Sequence, residues 1–163
     1  MDLMPAPDSP SAAPHGTTLP AEDPLALEAQ VCFALVVAAR SVLGIYRPIL
    51  EPMGLTHPQY LVMLALWQQA PLSVKDLSSL LQLDPGTLSP LLKRLESAGL
   101  VTRERSTSDE RLLSVNLTAK GVELRNEAAK IPAEVVAKLG MPLTEIKQVH
   151  TALLQVIAAA GQA

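Results

Sequence analysis

Two kinds of apolar spacing follow one another in this chain, and the switch between them limits its fold more than any other feature. In 85–98, Leu88, Leu91, Leu92 and Leu95 recur at i, i+3, i+4 and i+7, which lines one face of a helix with leucine. Past Gly99 the period drops to two: Leu113, Val115 and Leu117 alternate with Ser114 and Asn116, which is strand spacing. Leu100–Arg105 offers a partner strand, and Ser106-Thr107-Ser108-Asp109 reads as a polar turn. A helix followed at once by a β-hairpin is the expectation.

Helix-start signals organise the rest. Asp23-Pro24 puts an acid before a proline and predicts a helix ending near Pro48, with Leu27, Val31, Leu35, Val42 and Tyr46 on one face. Thr56-His57-Pro58 opens a second helix, carrying Tyr60, Leu61, Leu64 and Trp67 and stopping before Pro71. Ser73-Val74-Lys75-Asp76 resembles a capping box and introduces a short helix through Leu81. Asp84-Pro85 begins the leucine-striped helix. After the hairpin, Thr118 caps a helix running to about Pro132, and a last helix from Thr144 presents Ile146, Val149, Leu153 and Ile157.

Helix, helix, short helix, helix, hairpin is the order of a winged helix-turn-helix. The expected class is mainly α with a small β-hairpin wing. The winged helix-turn-helix covers about 56–118 and is flanked by terminal helices at about 24–47 and 119–160. Those helices have little of their own chain to cover them, which favours pairing with a second copy over packing within one chain.

The 163 residues suit one domain. Residues 1–23 hold Asp2, Asp8, Glu22 and Asp23 and no Lys or Arg, and 1–24 carry six of the 14 prolines, so 1–23 reads as a disordered acidic tail before a domain at 24–163. The formal net charge of −3 therefore sits in the tail, and the folded part is near neutral, which permits nucleic-acid binding if its cations cluster on one face. The longest uninterrupted apolar run, Val31–Ala39, is far short of a membrane span, and the start of the chain lacks the pattern of a signal peptide. A cytoplasmic protein with no membrane partner is expected.

Opposite the leucine stripe the striped helix presents Gly86, Ser89, Pro90, Lys93 and Ser97, flanked by Thr87 and Arg94. Short hydroxyls near the helix start allow close approach to base edges, and the adjacent Lys and Arg suit phosphates. Arg103, Arg105 and Arg111 add cations to the hairpin. Arg111 has the reach for a minor groove, with Asp109 two residues earlier to hold its guanidinium. A solvated surface carrying ordinary ion pairs is the plainer alternative. Helix face and basic hairpin together favour DNA.

Several stretches carry a family resemblance. Leu83-Asp84-Pro85-Gly86-Thr87-Leu88-Ser89-Pro90-Leu91-Leu92-Lys93-Arg94-Leu95-Glu96, Gly99-Leu100-Val101, and Asp109-Glu110-Arg111 leading to Val115-Asn116-Leu117-Thr118 resemble the MarR family of winged-helix transcription regulators. With Thr56-His57-Pro58-Gln59-Tyr60-Leu61 and Gln30-Val31-Cys32-Phe33, the resemblance is to the organic hydroperoxide resistance regulator branch, one-cysteine type, over roughly 24–160. It implies a homodimer built from the terminal helices, a double-stranded DNA operator, a recognition helix in the major groove, and Arg111 of the wing in the minor groove. It also implies repression relieved when an organic hydroperoxide oxidises Cys32, with a small thiol as co-reactant.

Cys32 is the only cysteine, which excludes an intrachain disulfide and any multi-cysteine zinc site; no metal or cofactor is expected. On its residues alone it reads as a packed small hydrophobe, a reactive thiol or half of an intermolecular disulfide. The Asp23-Pro24 start puts it about nine residues inside its helix, among Val31, Phe33 and Val36. Tyr46, about 21 Å further along a straight helix, reaches Cys32 only from a partner chain. The branch usually has tyrosine where this chain has Val36 and His57, so Tyr46 and His57 are the sensor hydrogen-bonding candidates, His57 serving as donor or as cation. Two other readings remain: a regulator that binds a small phenolic or apolar acid reversibly, with Cys32 structural, and a small thiol peroxidase using Cys32.

Overall fold

The computed structural model describes residues 23–105 and 113–161. Helices α1 (Val31–Leu50), α2 (His57–Gln69), α3 (Val74–Leu81) and α4 (Pro85–Ser97) come first, with strand β1 (Leu72–Ser73) between α2 and α3. Strands β2 (Val101–Arg105) and β3 (Leu113–Leu117) follow, then helices α5 (Ala119–Ala128), α6 (Ile131–Leu139) and α7 (Leu143–Ala160). The mainly helical class with a small wing is as expected. Two compact units separate, one ending at Ala38 and one beginning at Ala39.

The first unit contains no buried residue among those described. Its helix starts later than the sequence suggested. Asp23 spends its cap on a turn, accepting from the Leu25 amide at 2.9 Å through its carboxylate and from Ala26 N–H through its carbonyl. A 3-10 turn at Leu27–Ala29 and an extended Gln30 intervene before α1 begins at Val31. At its other end α1 continues through Pro48 to Leu50.

The second unit holds the core. Leu50, Val62, Met63, Leu66, Leu77 and Leu88 are among its fully buried side chains, and α4 closes on the core through its leucine stripe. Helix α2 buries Val62, Met63 and Leu66 but leaves Leu64 of the expected set exposed, and α3 buries Leu77 and leaves Leu80 exposed. The caps work as their residues suggest. Ser73 Oγ accepts from Asp76 N–H at 3.0 Å and donates to Asp76 Oδ2 at 2.7 Å. The Thr56 amide donates to Gln59 Oε1 at 2.8 Å.

The sheet is antiparallel with order β1-β3-β2. Arg103 faces Val115 in the β2–β3 register, and Leu72 faces Val115 from the other side. Of the alternating trio, Val115 is buried, Leu117 half-buried and Leu113 exposed, so the alternation fades toward the tip. The single helix expected from Thr118 to about Pro132 is instead two. α5 ends at Ala128, and α6 starts at Ile131 with proline in its first turn, where a missing N–H costs nothing.

Candidate nucleic-acid interface and sensor residues

The leucine-striped helix is α4, and its two faces divide as their spacing demands. Leu88, Leu92 and Leu95 are fully buried, whereas Gly86, Thr87, Ser89, Pro90, Lys93, Arg94 and Ser97 are exposed. Asp84 caps the helix, its carboxylate accepting from the Thr87 amide at 2.9 Å and the Thr87 hydroxyl at 2.6 Å. Those hydrogen bonds hold the Asp84 carboxyl below its ordinary value. The Thr87 hydroxyl is thereby turned toward the cap, leaving Ser89 with the exposed hydroxyl nearest the helix start. Lys93 and Arg94 lie one turn further on.

The far end of α4 is held from three directions. Gly99, at φ +73°, takes the left-handed conformation that favours glycine, with Gly99 N–H on Glu96 O and Leu100 N–H on Leu95 O. From α5, Thr118 Oγ1 donates to Gly99 O at 2.6 Å and Lys120 Nζ to Ala98 O at 2.9 Å. From β2, the Arg103 guanidinium donates twice to Glu96 Oε2, at 2.9 and 2.5 Å. Arg103 is thus engaged with the helix, while Arg105 is exposed. Asp109 and Arg111 lie outside the described residues.

Gly121 and Trp67 complete this clamp. Trp67 Nε1 donates to Gly121 O at 2.8 Å, and Gly121 N–H donates to Thr118 Oγ1 at 3.0 Å. The sequence placed Trp67 only among the apolar residues of its helix and did not single out Gly121. Their signals were a lone tryptophan and a glycine just inside a capped helix.

Tyr46 and His57, the sensor candidates, do meet. Their ring centroids are 4.7 Å apart, edge to face, and Tyr60 joins them at 6.0 Å from Tyr46 and 6.4 Å from His57. Burial pushes the Tyr60 phenol up, helped by the nearby Tyr46, and pushes the His57 imidazole below its ordinary 6.5. That burial favours the neutral imidazole, which can exchange a hydrogen bond. Because the unfolded chain binds that proton more readily, stability falls as pH drops below about 6.5. His57→Gln is expected to flatten this acid-side loss in urea melts between pH 7 and 5, and an unchanged slope would contradict it.

Cys32 is exposed and belongs to the unit ending at Ala38. It is the second residue of α1, not one deep within a helix, because α1 starts at Val31. It is therefore no part of its own chain's core. It occupies the first helical turn, where unpaired N–H groups favour an anion.

Two apolar features remain. By length and composition Val31–Met53 would pass as a membrane-crossing segment, which a count of uninterrupted apolar residues had not suggested; it includes Arg40 and Arg47. A groove of about 490 Å³ runs between α2 and the α5–α6 corner, lined by Tyr60, Leu64, Trp67, Gln68, Arg125 and Pro132 among others.

Comparison with known proteins agrees with this architecture. The MarR family model matches residues 55–113. The organic hydroperoxide resistance transcriptional regulator of Bacillus subtilis is 40% identical over 131 residues, covering 80% of this chain and 89% of that protein. Solved structures of reduced and of overoxidised AbfR, each bound to DNA, are both 34% identical to it. They cover 80% of this chain and 91% and 92% of theirs, with TM-scores of 0.68 and 0.63. With its capped and leucine-anchored α4, its three-stranded wing and these relatives, the chain belongs to the MarR family and is a DNA-binding transcriptional regulator.

Proposed function

We propose that this regulator is a homodimeric repressor that leaves its operator when organic hydroperoxide oxidises Cys32. The observation that carries this reading is the exposed thiol in the first turn of α1, in a chain so similar to a hydroperoxide resistance regulator. The Cys32 thiolate attacks the terminal peroxide oxygen; an S–O bond forms, the O–O bond breaks, and an alcohol leaves. The sulfenic acid then condenses with a small thiol, forming a disulfide and releasing water. Overoxidised AbfR is itself bound to DNA, which supports assigning release here to the mixed disulfide and not to the sulfinic or sulfonic acid.

Tyr46 and His57 of one copy are the hydrogen-bonding groups for Cys32 of the other. Dimerisation is supported by two long helices that leave apolar side chains uncovered, including Val31, Phe33 and Val36 on α1 and Leu153, Leu154 and Ile157 on α7.

On the DNA side, Thr87, Ser89 and Pro90 approach base edges, Lys93 and Arg94 take phosphates, and Arg111, held by Asp109, enters the minor groove. Lys93→Ala is expected to weaken binding similarly on all duplexes and to reduce the salt slope by about one. Fluorescence anisotropy at several salt concentrations measures this, and an unchanged slope would remove Lys93 from the contact surface.

One observation favours a second reading. The groove beside Trp67 has apolar walls and Arg125 on its rim, which suits a phenolic or apolar acid, with Cys32 then structural. Mass spectrometry of the protein treated with cumene hydroperoxide and cysteine separates the two readings. Stoichiometric cysteinylation of Cys32 is expected, and an unmodified thiol under conditions that release DNA would favour the groove.

A further inference from the structure

Glu96 is an unusual residue for its position. It lies in the last turn of α4, where the helix dipole disfavours a carboxylate, and on an element whose partner is a polyanion. Both costs fall on the function, and neither is offset by burial, since the Glu96 side chain is 38% exposed. What Glu96 does is receive both guanidinium bonds from Arg103, seven residues later and across the Gly99 turn.

Arg103 in turn sits in β2 directly opposite Val115 of the central strand. It also lines a shallow cavity of about 390 Å³ with Ser73, Lys75 and Ser89. The pair is thus a side-chain link between the exposed-face helix and the wing. On the other flank of the same helix end, Thr118 and Lys120, at the start of α5, donate to the Gly99 and Ala98 carbonyls just past α4.

We propose that Glu96 and Arg103 form a positioning pair that fixes the wing against α4, so that helix and wing meet DNA in one register, and that Arg103 itself makes no phosphate contact. This rests on α4 being the DNA-reading helix. A half-exposed ion pair contributes little to stability, so its effect belongs in recognition. Two planar bonds from a guanidinium to one carboxylate oxygen restrict the angle between two elements in a way a lysine would not.

The rival account makes opposite demands. If Arg103 were a phosphate ligand restrained by Glu96, removing the carboxylate would free the cation and tighten binding. The test uses a duplex selected by the wild-type protein from a random library, and an unrelated duplex of equal length. Glu96→Gln, Arg103→Gln and the double variant are titrated against both across a range of salt.

A positioning pair predicts that each single variant loses about tenfold in affinity for the selected duplex. Affinity for the unrelated duplex changes little, the salt slope is unchanged, and the double variant is no worse than either single one. A merely destabilised protein would lose binding to both duplexes together. Tighter binding by Glu96→Gln, a shallower salt slope for Arg103→Gln, or additive losses in the double variant would overturn the proposal. So would unaltered discrimination in both single variants. Lys93→Ala, run alongside, reports on the choice of helix: full affinity and slope there, with Glu96→Gln weakened, would fault the reading face and leave the pair standing.

Discussion

Gly121→Ala is expected to lower the stability of this protein by about 3 kcal/mol, at the upper end of what overpacking costs. A Cβ at this position would stand 2.1 Å from Leu100 O and 3.1 Å from Leu100 C, and those are backbone atoms. Leu100 O already accepts from Thr118 N–H at 3.1 Å, and Gly121 O accepts from Trp67 at 2.8 Å. Neither strand end nor helix start can move aside without breaking one of these bonds. Alanine's advantage over glycine in a helix, about 1 kcal/mol, is the smaller effect. Because Thr118 and Lys120, at the same helix start, hold the end of α4, the variant should also lose discrimination between DNA sequences. Urea denaturation measures the first effect, and a loss below about 0.5 kcal/mol would mean that α5 is not seated on Leu100 as described.

The second large effect concerns α7. Its 18 residues include no buried one, although Leu143, Val149, Leu153, Leu154, Val156 and Ile157 are all apolar and exposed. A helix of this length without tertiary burial is marginal in water. A second copy covering that face would supply the missing burial. Leu153→Asp combined with Ile157→Asp is expected to turn a dimer into monomer. At about 1.5 kcal/mol or more per buried side chain, four lost from a dimer weaken association by about 6 kcal/mol, roughly four orders of magnitude. Sedimentation at micromolar concentration should show the wild type as a dimer and the variant as a monomer. A variant that remained dimeric would move the interface elsewhere.

The sequence made some of this visible and hid the rest for physical reasons. The face of α4 was legible because burial and exposure follow the 3.6-residue period: Leu88, Leu92 and Leu95 are fully buried, and Leu91, at the edge of the stripe, is half-buried. Helix boundaries were less so. Asp23-Pro24 has the chemistry of a helix start, yet the same chemistry serves an isolated turn, and only the extended Gln30 reveals which was formed. That difference moved Cys32 from a helix interior to a first turn, and with it the argument for a packed thiol. Strand β1 is two residues long, too short for any period to register, although it completes the sheet.

The Glu96–Arg103 and Trp67–Gly121 contacts join residues with no regular spacing, across a turn in one case and across 54 positions in the other. Arg103 was counted with the hairpin's other cations because charge alone does not disclose a partner. Tyr46 and His57 were picked out separately, each as a group for Cys32. That their rings meet, and that burial lowers the His57 imidazole, depend on tertiary packing, which no local pattern encodes.

The central claim is that Cys32 oxidation releases DNA, and anisotropy of a labelled selected duplex tests it most directly. Wild-type protein bound to that duplex is treated with one equivalent of cumene hydroperoxide and excess cysteine, then with dithiothreitol. The account predicts that the wild type releases the duplex and rebinds it on reduction, while Cys32→Ser binds equally well and stays bound throughout. Release of Cys32→Ser by the hydroperoxide, or a wild type that remains bound with Cys32 fully cysteinylated, would contradict it.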